Sequence, residues 1–230
     1  MSDPQIALIA EGPTDYEVIN AALKAILPTS FVLTMLQPEM TKPEMGTGWG
    51  GVLKWCDAAG QRHAGSLDHD TTLGHFEVVI IHLDVDVAHD HYGACGTEIV
   101  SMASDKGWAT LPCVQPCPPV TNSCTQLTTV LNSWLSPAQT GNKTVLCLPA
   151  QASGTWLAAA TLPEGHSLLA GIECNISVEA RLSQLSKNLR IKKTVREYRA
   201  FAPRITENWS SVTALCSQAQ AFEQAMLGAI

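Results

Sequence analysis

The sequence predicts an α/β fold in which helices cover both faces of a parallel sheet. Two apolar runs, residues 6–10 and 76–83, have the length and composition of buried strands. Helical segments alternate with such runs, as expected of a doubly wound sheet, because parallel strands need long crossover connections. The chain has 230 residues, 46% of them hydrophobic and 15% charged, which is enough for a full core.

The first strand leads directly into a turn and a helix. Glu11 and Gly12 end the apolar run, and Thr14 and Glu17 have the spacing of a capping box, which predicts a helix starting at Thr14. Apolar residues then recur on one helical face, at Val18, Ile19, Ala22, Leu23 and Ile26. A second strand is predicted over residues 31–36.

The rest of the chain divides into an insertion, further α/β elements and a basic region. Residues 38–74 are rich in proline, glycine and histidine, with a short helix predicted over 52–62. The later predicted elements are a proline-rich link over 111–120, an amphipathic helix over 127–135, a strand over 145–148 and a buried helix over 155–160. We assign residues 1–165 to the α/β domain and residues 166–230 to a helical C-terminal extension packed on it.

Two aspartates, Asp84 and Asp86, follow the central strand. On an extended backbone, residues at i and i+2 point to the same side of the strand. Two carboxylates held so close repel, and a divalent cation between them removes the repulsion. Oxygen ligands of this kind suit Mg²⁺ or Mn²⁺. A solvated strand end is the alternative for an isolated Asp-x-Asp.

The order of these motifs resembles a known family. A strand, the Glu11-Gly12 turn, a capped helix and a later strand ending in Asp84-Val85-Asp86 are similar to the TOPRIM domain of topoisomerases, primases and nucleases of the overcoming-lysogenization-defect type. The resemblance covers roughly the first half of the chain. It implies a Rossmann-like sheet on which Glu11, Asp84 and Asp86 converge on Mg²⁺ or Mn²⁺.

The resemblance also implies roles for single residues. Glu11 would be a metal ligand or a general acid/base, and Asp15 in the neighbouring turn would assist catalysis. Independently of the resemblance, Glu98, in the helix expected after the aspartates, could supply a carboxylate to a second metal. A solvent-facing glutamate is the alternative interpretation of Glu98.

The basic residues are concentrated in one segment. Eight of the 14 lie between residues 181 and 204, where Glu197 is the one acid, whereas residues 1–180 hold 18 of the 21 acids. Phosphate backbone binding requires such a one-sign segment. The predicted nucleic-acid contacts are Arg190, Lys192, Lys193, Arg196 and Arg199. Lys192 or Lys193 would also stabilise charge on the phosphate, and Lys193 is the predicted catalytic residue. The open alternative is that this face docks onto the chain's own acidic surface.

The eight cysteines are scattered and do not have the paired spacing of a zinc ribbon. We therefore expect mostly buried thiols in a reducing compartment. Residues 1–4 show no basic signal-peptide region, and no apolar run approaches the length of a bilayer crossing. The expected location is the cytoplasm.

The predicted function is a divalent-metal-dependent nuclease acting on DNA or RNA. Topoisomerase activity is not expected, because the chain is too short for a strand-passage gate, and a primase would need a zinc module. The resemblance implies a stand-alone protein that could work with a separate ATPase in phage defence, since the chain has no Walker A motif. A homodimer is a further expected partner. The alternative function is a non-catalytic module that binds nucleic acid or another protein.

Overall fold

A parallel sheet lies at the centre of the computed structural model, which describes residues 3–39 and 41–230. Its strands are β1 (Gln5–Ile9), β2 (Val32–Gln37), β4 (Val78–His82) and β6 (Thr144–Cys147). They pair in the order β2-β1-β4-β6. Two short strands, β3 (Gly65–Ser66) and β5 (Ala138–Gln139), form a separate parallel pair. The predicted strands are therefore confirmed to within a few residues.

Helices flank the sheet. They are α1 (Pro13–Ile26), α2 (Gly48–Arg62), α3 (Thr97–Lys106), α4 (Thr121–Leu135), α5 (Gly154–Thr161), α6 (Val178–Leu182), α7 (Val195–Glu207), α8 (Trp209–Leu215) and α9 (Ser217–Ala229). The C-terminal region is thus helical, as predicted. In the part of the chain that the structure describes, none of these helices has both the length and the apolar character that crossing a bilayer needs.

The central strands are apolar along their whole length because both of their faces are buried. In β1, Ile6 and Leu8 belong to one core cluster, with residues of α1, α5 and the C-terminal helices. The alternate residues Ala7 and Ile9 belong to a second cluster, with residues of α2, α3 and α4. This double burial explains why the sequence shows a continuous apolar run instead of an alternating one.

The C-terminal helices belong to the first of these core clusters. α7 packs against α1 and α5, and α9 packs against β6. Phe222 and Met226 of α9 are fully buried in that cluster. The apolar side of α9 therefore contributes to the core of this chain.

The cysteines differ in part from the sequence prediction. Cys117 in the proline-rich link and Cys174 form a disulfide, so the expectation of free thiols is wrong for this pair. The pairing joins residues 57 positions apart, and no local pattern indicates it. The other six cysteines are free, and the four buried ones are Cys56, Cys124, Cys147 and Cys216.

The neighbouring strands β1 and β4 form a topological switch point. The chain leaves β1 through α1 on one face of the sheet, and it leaves β4 through α3 and α4 on the other face. Connections that diverge in this way open a crevice at the carboxyl ends of the two strands, which is where open α/β sheets bind ligands. The residues that follow β1 and β4 therefore line this crevice.

Helices α2 and α4 meet at a glycine, which provides a first test of the packing. A Cβ added at Gly60 would overlap the backbone oxygen of Leu135, whereas one added at Gly228 in α9 would meet nothing within 4 Å. We expect Gly60→Ala to lower the free energy of unfolding by about 1–3 kcal/mol. The control Gly228→Ala should leave it unchanged or raise it by up to about 1 kcal/mol. Urea unfolding measures both, and equal shifts would contradict the packing of α2 on α4.

Candidate functional site

Glu11 bridges the crevice between β1 and β4. It follows β1 by two residues, is half-buried, and its Oε1 accepts a hydrogen bond of 2.8 Å from the backbone N–H of Asp84. Burial, followed by the charge of Asp84, raises the pKa of Glu11 well above its usual range. The carboxyl group is therefore held at the switch point in an environment that disfavours its negative charge.

Helix α1 begins one residue earlier than the capping pattern predicts. Gly12 is the N-cap and Pro13 occupies the first helical position, which suits proline because that position needs no N–H donor. Asp15 reaches back, and its Oδ2 accepts the Gly12 N–H at 2.8 Å. The assignment of the cap to Thr14 is therefore wrong. The buried Asp15 also accepts a hydrogen bond of 2.7 Å from the hydroxyl of Ser153.

Asp84 is buried beneath the start of α5. Its Oδ1 accepts the backbone N–H of Ser153, the N-cap of α5, at 2.9 Å. The same oxygen lies 3.1 Å from Nε2 of His82, so the two side chains form an ion pair when His82 is protonated. Burial raises the pKa of Asp84, and the nearby His82 partly opposes the rise. The Asp84 carboxylate is therefore fixed by α5 and by its strand neighbour.

His82 is a member of the site that the sequence analysis did not identify. It is the last residue of β4 and has no exposed surface. Desolvation alone would lower the pKa of His82, but the charges of Asp15, Asp84 and Glu11 outweigh it and raise the pKa to about 9. Its position two residues before Asp84 was the available signal, because such residues share one side of a strand.

Asp86 departs from the predicted geometry. A 3-10 helix, Val85–His89, begins directly after Asp84, so the extended backbone expected through Asp86 is wrong. Val85 and Val87 turn into the core while the Asp86 side chain is exposed. Lost hydration, followed by the charge of Asp84, raises the pKa of Asp86 to about 7. Water at the exposed side chain screens part of this effect.

The backbone beside Asp86 is held by an unusual residue. The Asp86 N–H donates to the carbonyl oxygen of Gln151 at 3.0 Å. Gln151 has a φ of 62°, the one positive φ at a non-glycine residue in the described chain. Such conformations cost free energy and persist where the surrounding structure enforces them, often beside functional sites.

The predicted metal ligands are only partly brought together. Glu11, His82 and Asp84 offer ligand atoms within 4.8 Å of one another, the one such group of three or more in residues 3–39 and 41–230. Asp86 lies outside this group. Glu98 also lies outside it, exposed in the first turn of α3.

The ammonium group of Lys193 is paired with Glu179, and Tyr198 donates a hydrogen bond to the same glutamate. Nζ of Lys193 lies 2.6 Å from Oε2 of Glu179, whose Oε1 accepts a hydrogen bond of 2.7 Å from the hydroxyl of Tyr198. Desolvation would lower the pKa of Lys193, but Glu179 outweighs it and raises the pKa. The positive charge of Lys193 also lowers the pKa of Asp84 and of Asp86, so this ammonium group interacts electrostatically with the site.

The other basic residues divide into paired and unpaired groups. Nη2 of Arg199 lies 2.8 Å from Oε1 of Glu17 on α1, so Arg199, like Lys193, contacts the chain's own acids. Arg190, Lys192 and Arg196 are exposed and make no ion pair with any residue that the structure describes. Internal docking thus accounts for two of the five predicted nucleic-acid contacts, and the other three remain available to a partner.

Comparison with protein-family models, curated proteins and solved structures finds no match to this chain. The TOPRIM resemblance therefore stays a prediction, and it depends on Glu11, on the Asp84-Val85-Asp86 motif and on the order of the strands.

Proposed function

We propose that this chain is a divalent-metal-dependent nuclease with a TOPRIM-like α/β domain. The observation that carries the proposal is the convergence of Glu11 and Asp84 at the switch point between β1 and β4, joined by the hydrogen bond from the Asp84 N–H. Carboxylates at the carboxyl ends of adjacent parallel strands occupy the usual ligand position of an open α/β sheet.

The donor set fits a divalent ion. Burial is the largest cause that raises the pKa of Glu11 and of Asp84, so both carboxyl groups lie in surroundings that disfavour their negative charge. A divalent ion there would neutralise phosphodiester charge and lower the pKa of bound water. Because a metal binds ionised carboxylates and displaces their protons, metal affinity should rise with pH in this protein.

The surrounding residues have supporting roles in the proposed reaction. Lys193, fixed by Glu179, would stabilise negative charge on the phosphate. Asp15 and Ser153 hold the start of α5 against Asp84 and so position that carboxylate. Asp86, at the exposed rim of the site, would contact substrate or a further ion. Glu98 is exposed in the first turn of α3, and it could contact substrate or a further ion only from that position.

Nucleic acid is the proposed substrate because three cations in the chain segment around Lys193 make no ion pair with any described residue. Arg190, Lys192 and Arg196 are exposed on the segment that also carries Lys193. Phosphate backbones bind clustered cations of this kind. A non-catalytic nucleic-acid-binding module is the second candidate, and it is favoured by the pairing of Lys193 with Glu179, which occupies the cation proposed for catalysis.

The test is metal-dependent cleavage of single-stranded DNA, duplex DNA and structured RNA. Wild type should cleave at least one substrate with Mg²⁺ or Mn²⁺ and lose this activity in EDTA. Glu11→Gln should lower the rate by about 10²-fold or more, equivalent to several kcal/mol of lost metal-centred stabilisation. Glutamine retains an oxygen that can accept the Asp84 N–H, so the fold should be preserved. Glu164→Gln, at an exposed glutamate outside the site, is the matched control and should retain activity.

The assay is repeated with any ATPase encoded beside this protein, in case cleavage requires such a partner. Equal residual cleavage by wild type and Glu11→Gln would identify a contaminant. Nucleic-acid binding without metal-dependent cleavage under all of these conditions would reject the nuclease and support the non-catalytic binding module.

A further inference from the structure

His82 has unsatisfied hydrogen-bonding capacity in the middle of the acidic site. The ring has no exposed surface, and Nδ1 has no hydrogen-bond partner among the described residues. Leaving a buried polar atom unpaired lowers the stability of the folded state, so native proteins usually supply a partner. A ligand bound in the site can supply that partner.

The distances around His82 suit a shared metal ion. Nε2 of His82 lies 3.1 Å from Oδ1 of Asp84, and Glu11 supplies an oxygen within 4.8 Å of both. Nitrogen and oxygen ligands lie about 2.0–2.2 Å from an ion such as Zn²⁺, so neighbouring ligand atoms are about 3 to 3.5 Å apart. The His82–Asp84 separation therefore equals that of two ligands on one ion.

A competing arrangement uses the same contacts. A protonated His82 could act as a counter-ion to Asp84 and Glu11 without binding metal. Counter-ion pairing would account for Nε2, which faces Oδ1 of Asp84, but it would leave Nδ1 of His82 without a hydrogen-bond partner among the described residues. The contact places an imidazole nitrogen beside a carboxylate oxygen, where one metal ion would bind both after displacing the proton of His82.

We propose that His82 is a metal ligand together with Glu11 and Asp84, and that this site selects a transition-metal ion over Mg²⁺. Imidazole nitrogen is a good ligand for first-row transition ions, whereas Mg²⁺ strongly prefers oxygen. The inference rests on the metal site of the proposed function and not on cleavage. It narrows the expected cofactor from Mg²⁺ or Mn²⁺ to Mn²⁺ or another transition ion.

The direct test is pulsed electron paramagnetic resonance of the full chain loaded with Mn²⁺. A coordinated imidazole should give a nitrogen coupling, and this coupling should change to the ¹⁵N pattern when the protein carries ¹⁵N-labelled histidine. No substitution is needed for this experiment, so folding does not affect it. Tight Mn²⁺ binding without a histidine coupling would overturn the proposal and make His82 a counter-ion.

Titration calorimetry with Mn²⁺ and with Mg²⁺ measures the selectivity of the site for these two ions. His82→Asn should lower the ratio of Mn²⁺ to Mg²⁺ affinity by about 10-fold or more. Substitutions of residues around a bound metal typically lower metal affinity by this factor. The control His75→Asn, at an exposed residue before β4, should leave the ratio unchanged. An unchanged ratio in a folded His82→Asn protein would also overturn the proposal.

These results separate the two proposals. Histidine-coupled Mn²⁺ without nuclease activity would support the ligand assignment and reject the nuclease. Metal-dependent cleavage without a histidine coupling would support the nuclease and reject His82 as a metal ligand. Failure of wild type to bind any divalent ion would reject both.

Discussion

Replacing Arg190, Lys192 and Arg196 together with glutamate should lower the affinity for nucleic acid by about 10²-fold or more at low salt. Each neutralised phosphate releases counterions, so the slope of log affinity against log salt concentration should become shallower by about 0.7–0.9 for every phosphate that the variant no longer neutralises. Fluorescence anisotropy with a labelled oligonucleotide, measured over a range of salt concentrations, gives both quantities. The substituted residues are exposed and unpaired, so the fold should not change.

The control for this experiment must change the net charge equally. Glutamate at Lys24, Lys42 and Lys143 introduces the same charge change at exposed positions outside the basic segment. This control should keep most of the affinity and most of the salt dependence. If the two triple variants behave alike, nucleic acid responds only to net charge, and the segment has no specific role in binding.

Asp15→Ala should lower the free energy of unfolding by about 2–4 kcal/mol, because it leaves two hydrogen-bond donors unpaired and removes a helix cap. Those donors are the hydroxyl of Ser153 and the N–H of Gly12. Urea unfolding of the metal-free protein measures the change. Asp105→Ala is the control, since Asp105 is exposed in α3, and it should shift stability by no more than about 0.5 kcal/mol.

A double-mutant cycle with Ser153→Ala isolates the Asp15–Ser153 contact. Because the two side chains are hydrogen-bonded, the double variant should be less destabilised than the sum of the single variants, by about 0.5–3 kcal/mol. Strict additivity would show that the contact adds nothing to the connection between α1 and α5.

The sheet could be predicted from sequence because its signals are local. Buried parallel strands produce continuous apolar runs, and these located β1 and β4 together with the acids that follow them. The position of Glu11 and Asp84 at adjacent strand ends then follows from parallel pairing.

The fine geometry of the site could not be predicted, because it depends on contacts between distant parts of the chain. The turn at Asp86 is set by the carbonyl groups of Pro149 and Gln151, which bind the N–H groups of Val85 and Asp86. Arg199 finds its partner Glu17 across 182 residues, and no sequence pattern shows that pairing. His82 gave a usable signal, but in an apolar strand a single histidine is more often structural than functional.

The Cys117–Cys174 disulfide stabilises the folded site by restricting the conformations of the unfolded chain. The covalent loop that it closes contains α4, β6 and α5, and therefore includes Ser153, which holds Asp84. By chain-entropy arguments, closing a loop of about 57 residues removes conformational freedom from the denatured ensemble equivalent to about 4 kcal/mol. The segment that carries Ser153 is thus stabilised in part because the disulfide restricts the denatured state. The contacts around Asp84 in the folded protein do not show this effect.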